Sequence, residues 1–173
     1  FAQFVASDDG RKMLFTDFVG GEDPAGDPTG GPIFVDLDAG TRTALTTHGL
    51  QVLAVALDST GTIAVTGDRN GIVRVGPVTG EEPHLLMGHT EAVRDVAIDP
   101  RGRWIASSSP DNIVRLWPMP DLSKPPLHNL PHQELIAKLK TLTNIRLVRD
   151  PKSATGWTLT HDPFPGWETV PTW

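Results

Sequence analysis

The feature that most constrains the fold of this chain is an internal repeat. When the sequence is aligned on itself, positions 52–75 match positions 93–116 without a gap. The identical residues include Gly61 and Gly102 in corresponding turns and a shared Ile-Val-Arg triplet. A weaker copy occupies the start of the chain and carries an insertion within positions 18–32. Self-similarity at a fixed period of this size indicates tandem structural units.

Each full copy contains four short segments typical of β-strands, separated by turns rich in Asp, Asn and Gly. In the second copy these segments are 52–57, 62–67, 71–75 and 81–87, and in the third they are 93–98, 103–108, 112–117 and 124–130. Four strands in about 40 residues is the period of a propeller blade. The sequence therefore predicts an all-β fold: the C-terminal part of a β-propeller, about three blades, with a short helix and a β-hairpin tail.

The predicted boundaries are a degenerate first blade over 1–48, a second over 49–87, a third over 88–130 and a C-terminal segment over 131–173. Propellers typically close with four to eight blades. We therefore expect further blades from an upstream segment, from another chain or from a second copy. The sequence starts at Phe1, without an initiator methionine or signal peptide, so we expect part of a longer, cytoplasmic protein.

The third copy, from Met87 to Trp117, resembles one full repeat of the WD-repeat family. It has the Gly-His pair, inward apolar positions at Val93, Val96 and Ile98, a tight Pro-Arg-Gly turn, a serine run and the closing tryptophan. The resemblance implies a hydrogen-bonded structural tetrad formed by His89, Ser107, Asp111 and Trp117. The family's Asp after the tryptophan is replaced here by Pro118.

The second copy keeps a degenerate version of the same motif. His48 and Thr66 survive, Asn70 occupies the Asp position and Gly76 the Trp position. The first copy retains little beyond its strand pattern.

His89, Ser107 and Asp111 are also the components of a nucleophilic triad, so hydrolase chemistry has to be weighed. A nucleophilic serine is normally exposed on a strained turn beside an oxyanion hole, whereas Ser107 lies within an apolar strand segment without a Gly-x-Ser-x-Gly elbow. We therefore predict a buried structural network and no catalytic residues. Loss of Asp111 should destabilise the blade.

No cofactor or metal site is predicted. His128 and His132 are close in sequence but have Pro131 between them, and the acidic insertion lacks the order of an EF-hand loop. Cysteine is absent, which excludes disulfides and thiolate ligands. The arginines at strand ends and turns are expected to form solvated faces; they are Arg69, Arg74, Arg94, Arg101, Arg103 and Arg115.

The charge is unevenly distributed, because positions 1–40 sum to −6 while the rest of the chain sums to zero. A net charge of −6 argues against nucleic-acid binding, and no apolar run is long enough for a membrane helix. The insertion replaces the turn between the second and third strands of the first blade. In WD-repeat blades this turn lies on the face that usually binds partners. The expected partner-binding face comprises Glu22, Asp23, Asp27, Arg69, Glu91 and Arg94. Partner contact, a tolerated surface insertion and ion binding remain open for the insertion.

The C-terminal segment departs from the repeat. Apolar residues at helical spacing predict an amphipathic helix over 131–142, and the stretches 145–150 and 156–162 predict a hairpin. Residues 163–173, rich in proline and tryptophan, are expected to form an extended strip docked on its own domain. The tail resembles those of bacterial multidomain proteins in which a WD-repeat module follows a kinase, protease or NTPase.

Together these features predict a non-catalytic scaffold for protein–protein interaction or sensing, completed by blades from upstream sequence or another chain. The alternative is the regulatory C-terminal part of a bacterial signalling or effector enzyme whose catalytic domain is absent from this sequence.

Overall fold

The computed structural model describes residues 3–16, 21–22, 28–29, 31–49, 51–142, 146–153 and 155–160. The chain divides into two compact units, Phe1–Pro126 and Leu127–Trp173. The first unit contains three successive antiparallel sheets of three or four strands and one separate two-stranded ladder, which confirms the predicted all-β fold.

The first sheet comprises β1 (Phe4–Ala6), β2 (Lys12–Thr16), β5 (Pro32–Asp36) and β6 (Thr41–Ala44), paired in that order. Between β2 and β5 lies a separate two-stranded ladder, β3 (Gly21–Glu22) with β4 (Pro28–Thr29). The insertion therefore falls between the second and third strands of this sheet, where the sequence places it.

The second sheet follows the same up-and-down order, with β7 (Val52–Leu57), β8 (Ile63–Asp68), β9 (Ile72–Pro77) and β10 (His84–Met87). The turn between β7 and β8 is held by Asp58, whose Oδ1 accepts hydrogen bonds from the backbone N–H groups of Thr62 and Ile63 at 2.6 Å each. Gly61 supplies the left-handed residue of this turn, with φ of 67°.

The third sheet comprises only β11 (Asp95–Ile98), β12 (Trp104–Ser108) and β13 (Val114–Pro118) among the described residues. The fourth strand predicted over 124–130 is wrong, because the chain there forms a turn and a single 3-10 turn at Leu127–Asn129. The physical reason is the pair Pro125 and Pro126. Neither has a backbone N–H to donate to a strand ladder.

Apolar side chains between successive sheets form two cores. Leu14 and Phe34 of the first sheet pack with Val52, Val55 and Ala64 of the second. The residues from the second sheet are β-branched or small, which suits the close packing of one sheet on another.

The core between the second and third sheets brings Val65, Val73 and Val75 against the segment that contains Val93. The approach is close at Gly67, where an added Cβ would lie 2.4 Å from Val93 Cγ1.

The second unit contains α1 (His132–Leu142) and a hairpin of β14 (Arg146–Arg149) with β15 (Trp157–Thr160). The predicted helix and hairpin are thereby confirmed. The Arg149 guanidinium stacks over the Trp157 ring at 5.6 Å from its centroid. The strip predicted over 163–173 lies outside the described residues. No described helix combines the length and apolarity needed to cross a membrane.

Candidate functional site

The residues from the complete motif meet in one hydrogen-bonded chain within the third sheet. Trp117 Nε1 donates to Ser107 Oγ at 2.9 Å, and that oxygen lies 2.8 Å from His89 Nε2. His89 Nδ1 lies 2.7 Å from Asp111 Oδ2. With Asp111 ionised, Nδ1 carries the proton and donates to the carboxylate, so Nε2 accepts from the Ser107 hydroxyl. Each of the side-chain polar atoms that links Trp117 to Asp111 therefore has a hydrogen-bond partner.

Asp111 also organises the turn that precedes β13. Its carboxylate accepts backbone N–H groups from Ile113 at 2.9 Å and from Thr90 at 3.2 Å. Burial acts to raise the pKa of Asp111, but hydrogen bonds from His89, Ile113 and Thr90 together leave that pKa below its usual value. The ionised form is thus the one that the turn favours.

The geometry restricts what Ser107 can do chemically. Ser107 lies in β12 and is 2% exposed, and its oxygen already contacts both the His89 ring and the Trp117 indole. His89 packs edge-on against Trp117, with ring centroids 6.3 Å apart. A substrate carbonyl has no open approach to this oxygen. The arrangement is suited to joining β12, β13 and the His-bearing loop.

In the second sheet, the degenerate motif forms a shorter network. His48 Nδ1 lies 3.1 Å from Thr66 Oγ1, and His48 Nε2 is buried without a hydrogen-bond partner. Gly76, at the Trp position, adjoins this nitrogen, since an added Cβ would lie 3.3 Å from it. Burial, with a contribution from Arg74, lowers the pKa of His48 to about 4. Asn70 is exposed and does not join the network through its side chain.

An ion pair in the second sheet was missed by the sequence analysis. Arg74 Nη1 donates to Asp68 Oδ2 at 2.6 Å, with the two side chains 16% and 3% exposed. Asp68 Oδ1 also accepts the backbone N–H groups of Asn70 and Ile72. The signal in the sequence is an Asp two positions before the expected tetrad position, at the end of a strand that pairs with the arginine's strand.

The prediction that the arginines form solvated faces is wrong for two of them. Arg74 is held in the buried pair with Asp68, and Arg115 has a buried Nε without a hydrogen-bond partner. Both lie on the third strand of a sheet, where surrounding side chains cover part of the arginine. Exposure at Arg69, Arg94, Arg101 and Arg103 agrees with the prediction.

The expected partner-binding face is described in part. Arg69, Glu91 and Arg94 are all exposed. The turn that contains Arg69 packs on the His-bearing loop, because an added Cβ on Gly71 would lie 2.8 Å from the Glu91 carbonyl oxygen. The described part of this face therefore spans neighbouring turns of two sheets.

The acidic members of the same predicted face are not among the side chains that the structure describes. Glu22 lies in β3, but its side chain, together with all of Asp23 and Asp27, lies outside the described residues.

Metal binding finds no support in the described part of the chain, where no three His, Asp or Glu side chains are grouped to hold an ion. His128 lies in the 3-10 turn and His132 begins α1, on opposite sides of Pro131 in the sequence.

The pattern of a known family matches two stretches of this chain. The family is described as WD domain, G-beta repeat, and the matched residues are 41–75 and 80–118. Residues 41–75 and 80–118 are WD40 repeats. The hydrogen-bonded chain from His89 to Trp117 lies within the second WD40 repeat, and the His48–Thr66 pair lies within the first.

Curated relatives match these WD40 repeats over short stretches. Ribosome biogenesis protein ERB1 of Scheffersomyces stipitis is 50% identical over 33 residues, which is 19% of this chain and 4% of that protein. NACHT domain- and WD repeat-containing protein 1 of Mus musculus is 32% identical over 91 residues, which is 52% of this chain and 5% of that protein. The chain thus spans a small fraction of these relatives.

A solved structure shares the fold. The crystal structure of RRP9 WD40 repeats superposes with a TM-score of 0.51 at 20% identity, covering 66% of this chain and 34% of that one. At this identity the likeness is one of fold alone.

Proposed function

We propose that this chain is a non-catalytic scaffold for protein–protein interaction or sensing. In this proposal, the three sheets are blades of a WD-repeat propeller with the boundaries 1–48, 49–87 and 88–130. The remaining blades come from upstream sequence or from another chain. WD40 repeats are typical of protein-interaction scaffolds, which supports the general function.

The need for further blades is supported by a difference in side-chain exposure between equivalent positions of the second and third sheets. Val73 and Val75 of β9 are 0% exposed, because the third sheet covers them. Their equivalents in β13, Val114 and Leu116, are 70% and 69% exposed. At the other end, Phe4 of β1 is 65% exposed. Apolar side chains on both end sheets thus remain uncovered, as in a stack that continues in both directions.

Partner recognition is assigned to the face that contains Arg69, Glu91 and Arg94. Arg69 and Glu91 lie on turns that pack on one another, and Arg94 follows on the same loop as Glu91. The backbone that carries these charges is thus ordered before a partner binds. The acidic insertion with Glu22, Asp23 and Asp27 is proposed as the extension of this surface.

The absence of catalysis is part of the proposal and rests on the serine. The motif that resembled a nucleophilic triad keeps its hydroxyl buried under Trp117 and engaged in two hydrogen bonds. A serine nucleophile needs an accessible oxygen with oxyanion donors beside it.

A second candidate is the regulatory C-terminal part of a bacterial signalling or effector enzyme. The name of the mouse relative pairs WD repeats with a NACHT domain, which supports a setting in which such repeats adjoin another functional domain. In this setting the propeller would bind partners for a catalytic domain elsewhere in the protein.

Native mass spectrometry and dye binding test the need for further blades. For the purified full chain we expect either self-association or strong binding of an apolar dye such as ANS. Lysine substitutions at Val114 and Leu116 should reduce both signals, whereas lysine at Leu37, an exposed leucine in a turn of the first sheet, serves as the matched control. A stable, monodisperse monomer that binds no dye would contradict the proposal.

A further inference from the structure

The turn that follows β12 has the same backbone conformation as the turn at the end of β8. In the second sheet, the Gly71 N–H donates to the Asp68 carbonyl oxygen at 3.3 Å. In the third sheet, the Asn112 N–H donates to the Ser109 carbonyl oxygen at 3.2 Å. Gly71 and Asn112 are also both left-handed, with φ of 82° and 64°. Ser109 therefore occupies the place in the third sheet that Asp68 occupies in the second.

The side chains of Ser109 and Asp68 also point in the same direction. Asp68 Oδ1 accepts the backbone N–H of Asn70, two residues further on, at 2.8 Å. Ser109 Oγ accepts the backbone N–H of Asp111, again two residues further on, at 3.3 Å. The Ser109 oxygen thus lies at the place that one carboxylate oxygen of Asp68 takes in the second sheet.

Arg115 occupies the position on β13 that Arg74 occupies on β9. Arg74 is paired with the Asp68 carboxylate at 2.6 Å, whereas position 109 holds no carboxylate. Arg115 Nε is buried without a hydrogen bond, and the guanidinium lies against Gly88, with its carbon 5.9 Å from the centroid of the Trp117 ring. The third sheet therefore keeps the cation of this pair and lacks the anion.

Ser109 is also accessible to a modifying enzyme. It lies just beyond β12 and is half-buried, and its hydroxyl donates to the Glu91 carbonyl oxygen at 3.1 Å on the surface. Pro110 is exposed, and among the 16 prolines of the chain it alone follows a serine or threonine. Proline favours an extended backbone in the residue before it. An accessible serine in this setting is a substrate for proline-directed protein kinases.

We propose that Ser109 is a phosphorylation site and that its phosphate pairs with Arg115. In the transfer, the Ser109 oxygen bonds to the γ-phosphorus of a nucleoside triphosphate, the bond from that phosphorus to the β–γ bridging oxygen breaks, and the nucleoside diphosphate leaves. The hydroxyl proton passes to a base of the protein kinase. A phosphoserine carries about two negative charges and three acceptor oxygens, so it supplies the missing anion. Arg115 is half-buried, so its guanidinium turns from Gly88 towards position 109 without opening the core.

The phosphate changes the proposed partner-binding face. A phosphorylated oxygen has no proton to donate to the Glu91 carbonyl, so the contact that joins the two turns is lost. The added charge also lies beside Arg94, whose backbone N–H donates to the Ser108 carbonyl oxygen at 2.8 Å. The Asp111 carboxylate repels this charge, and the two arginines attract it. This regulation of the face rests on the proposed function, whereas the modification itself does not.

The first test asks whether the site accepts the phosphoryl group. The full chain is incubated with ATP and a purified mitogen-activated protein kinase, which is proline-directed, and the product is mapped by peptide mass spectrometry. We expect one phosphoryl group per chain, on Ser109, and none on the Ser109→Ala variant. Ser123→Ala, which removes a serine hydroxyl from another exposed turn, is the matched control and should be phosphorylated as fully as the unmodified chain.

The second test measures the pairing with Arg115. Phosphorus NMR follows the titration of the phosphate on the phosphorylated chain. A guanidinium beside a phosphate favours the dianion, so Arg115→Gln should move this titration to higher pH by about 0.5. Arg101→Gln removes the same charge from an exposed turn and should leave the titration unchanged.

A third test builds the equivalent of the Asp68–Arg74 pair without phosphate. Ser109→Asp should melt about 4 °C above Ser109→Asn, because only the aspartate can form an ion pair with Arg115. In an Arg115→Gln background the two variants should melt together.

Two results would overturn the inference. The site is refuted if the kinase leaves Ser109 unmodified or transfers phosphate to other residues instead. The pairing is refuted if Arg115→Gln leaves the phosphate titration unchanged and the Asp and Asn variants melt at one temperature. Neither result affects the native mass spectrometry test of the proposed scaffold, and a failure of that scaffold leaves these measurements at Ser109 intact.

Discussion

Replacing Ser107 by alanine tests the physical role of the hydrogen-bonded chain in the third sheet. The Ser107 oxygen is the junction between the Trp117 indole and His89 Nε2. Without it, both groups remain in a site that is closed to water. A buried polar group that loses its partner costs about 1–3 kcal/mol. We therefore expect Ser107→Ala to lower the free energy of unfolding by about 2–4 kcal/mol.

Thr66→Val provides the matched comparison in the second sheet. Thr66 makes one side-chain hydrogen bond, to His48, and the other nitrogen of that ring already lacks a partner. Valine has the same shape as threonine and favours strands, so we expect a loss of only about 1 kcal/mol. The difference in the free energy of unfolding between the two variants therefore measures the stability that the complete hydrogen-bonded network adds.

The assay is urea unfolding of the full chain, followed by circular dichroism, with hydrogen exchange of β12 to assign the transition to the first unit. A double-mutant cycle of Ser107→Ala with Trp117→Phe should give a coupling energy of about 1 kcal/mol, because phenylalanine has no N–H to leave unpaired. If Ser107→Ala unfolds within about 0.5 kcal/mol of the unmodified chain, or costs no more than Thr66→Val, the reasoning is refuted.

Two other predictions concern the second sheet. Asp68→Asn should destabilise the chain by about 3 kcal/mol, because it leaves the Arg74 guanidinium buried and unpaired. Adding Arg74→Met to that variant should recover part of the loss, and an additive loss in urea unfolding would argue against the pair. The pKa of His48 falls on folding from an ordinary 6.5 to about 4, so the unfolded chain binds the proton more readily. Stability should accordingly be complete above about pH 6.5 and decline by up to about 3 kcal/mol as the pH falls to 4. His48→Gln should flatten that decline, and an unchanged slope would contradict the assignment.

Local pattern predicted much of the fold. β7, β8 and β9 arise from runs rich in β-branched residues and bounded by Asp and Gly turns, which depend on the residues within each segment. The helix that begins at His132 also depends on local sequence, because the spacing of its apolar residues predicts it. The strand that the repeat predicts over 124–130 does not form, because Pro125 and Pro126 have no backbone N–H to donate to a ladder.

The residues of the candidate site could also be predicted from the sequence only in part. The resemblance to the WD-repeat family named His89, Ser107, Asp111 and Trp117. The structure links them through successive hydrogen bonds. The Asp68–Arg74 pair could not be named, because its partners belong to neighbouring strands and its burial depends on the adjoining sheet.

By itself the sequence determined that the chain consists of repeated antiparallel units, because strand and turn preferences act within short segments and recur in each copy of the repeat. Only the tertiary structure decided which side of each unit is covered. Val73 and Val114 are the same residue type in the same repeat position, yet one is 0% and the other 70% exposed. Burial depends on what packs against a strand, and a third sheet packs on the first of these valines while no described sheet covers the second.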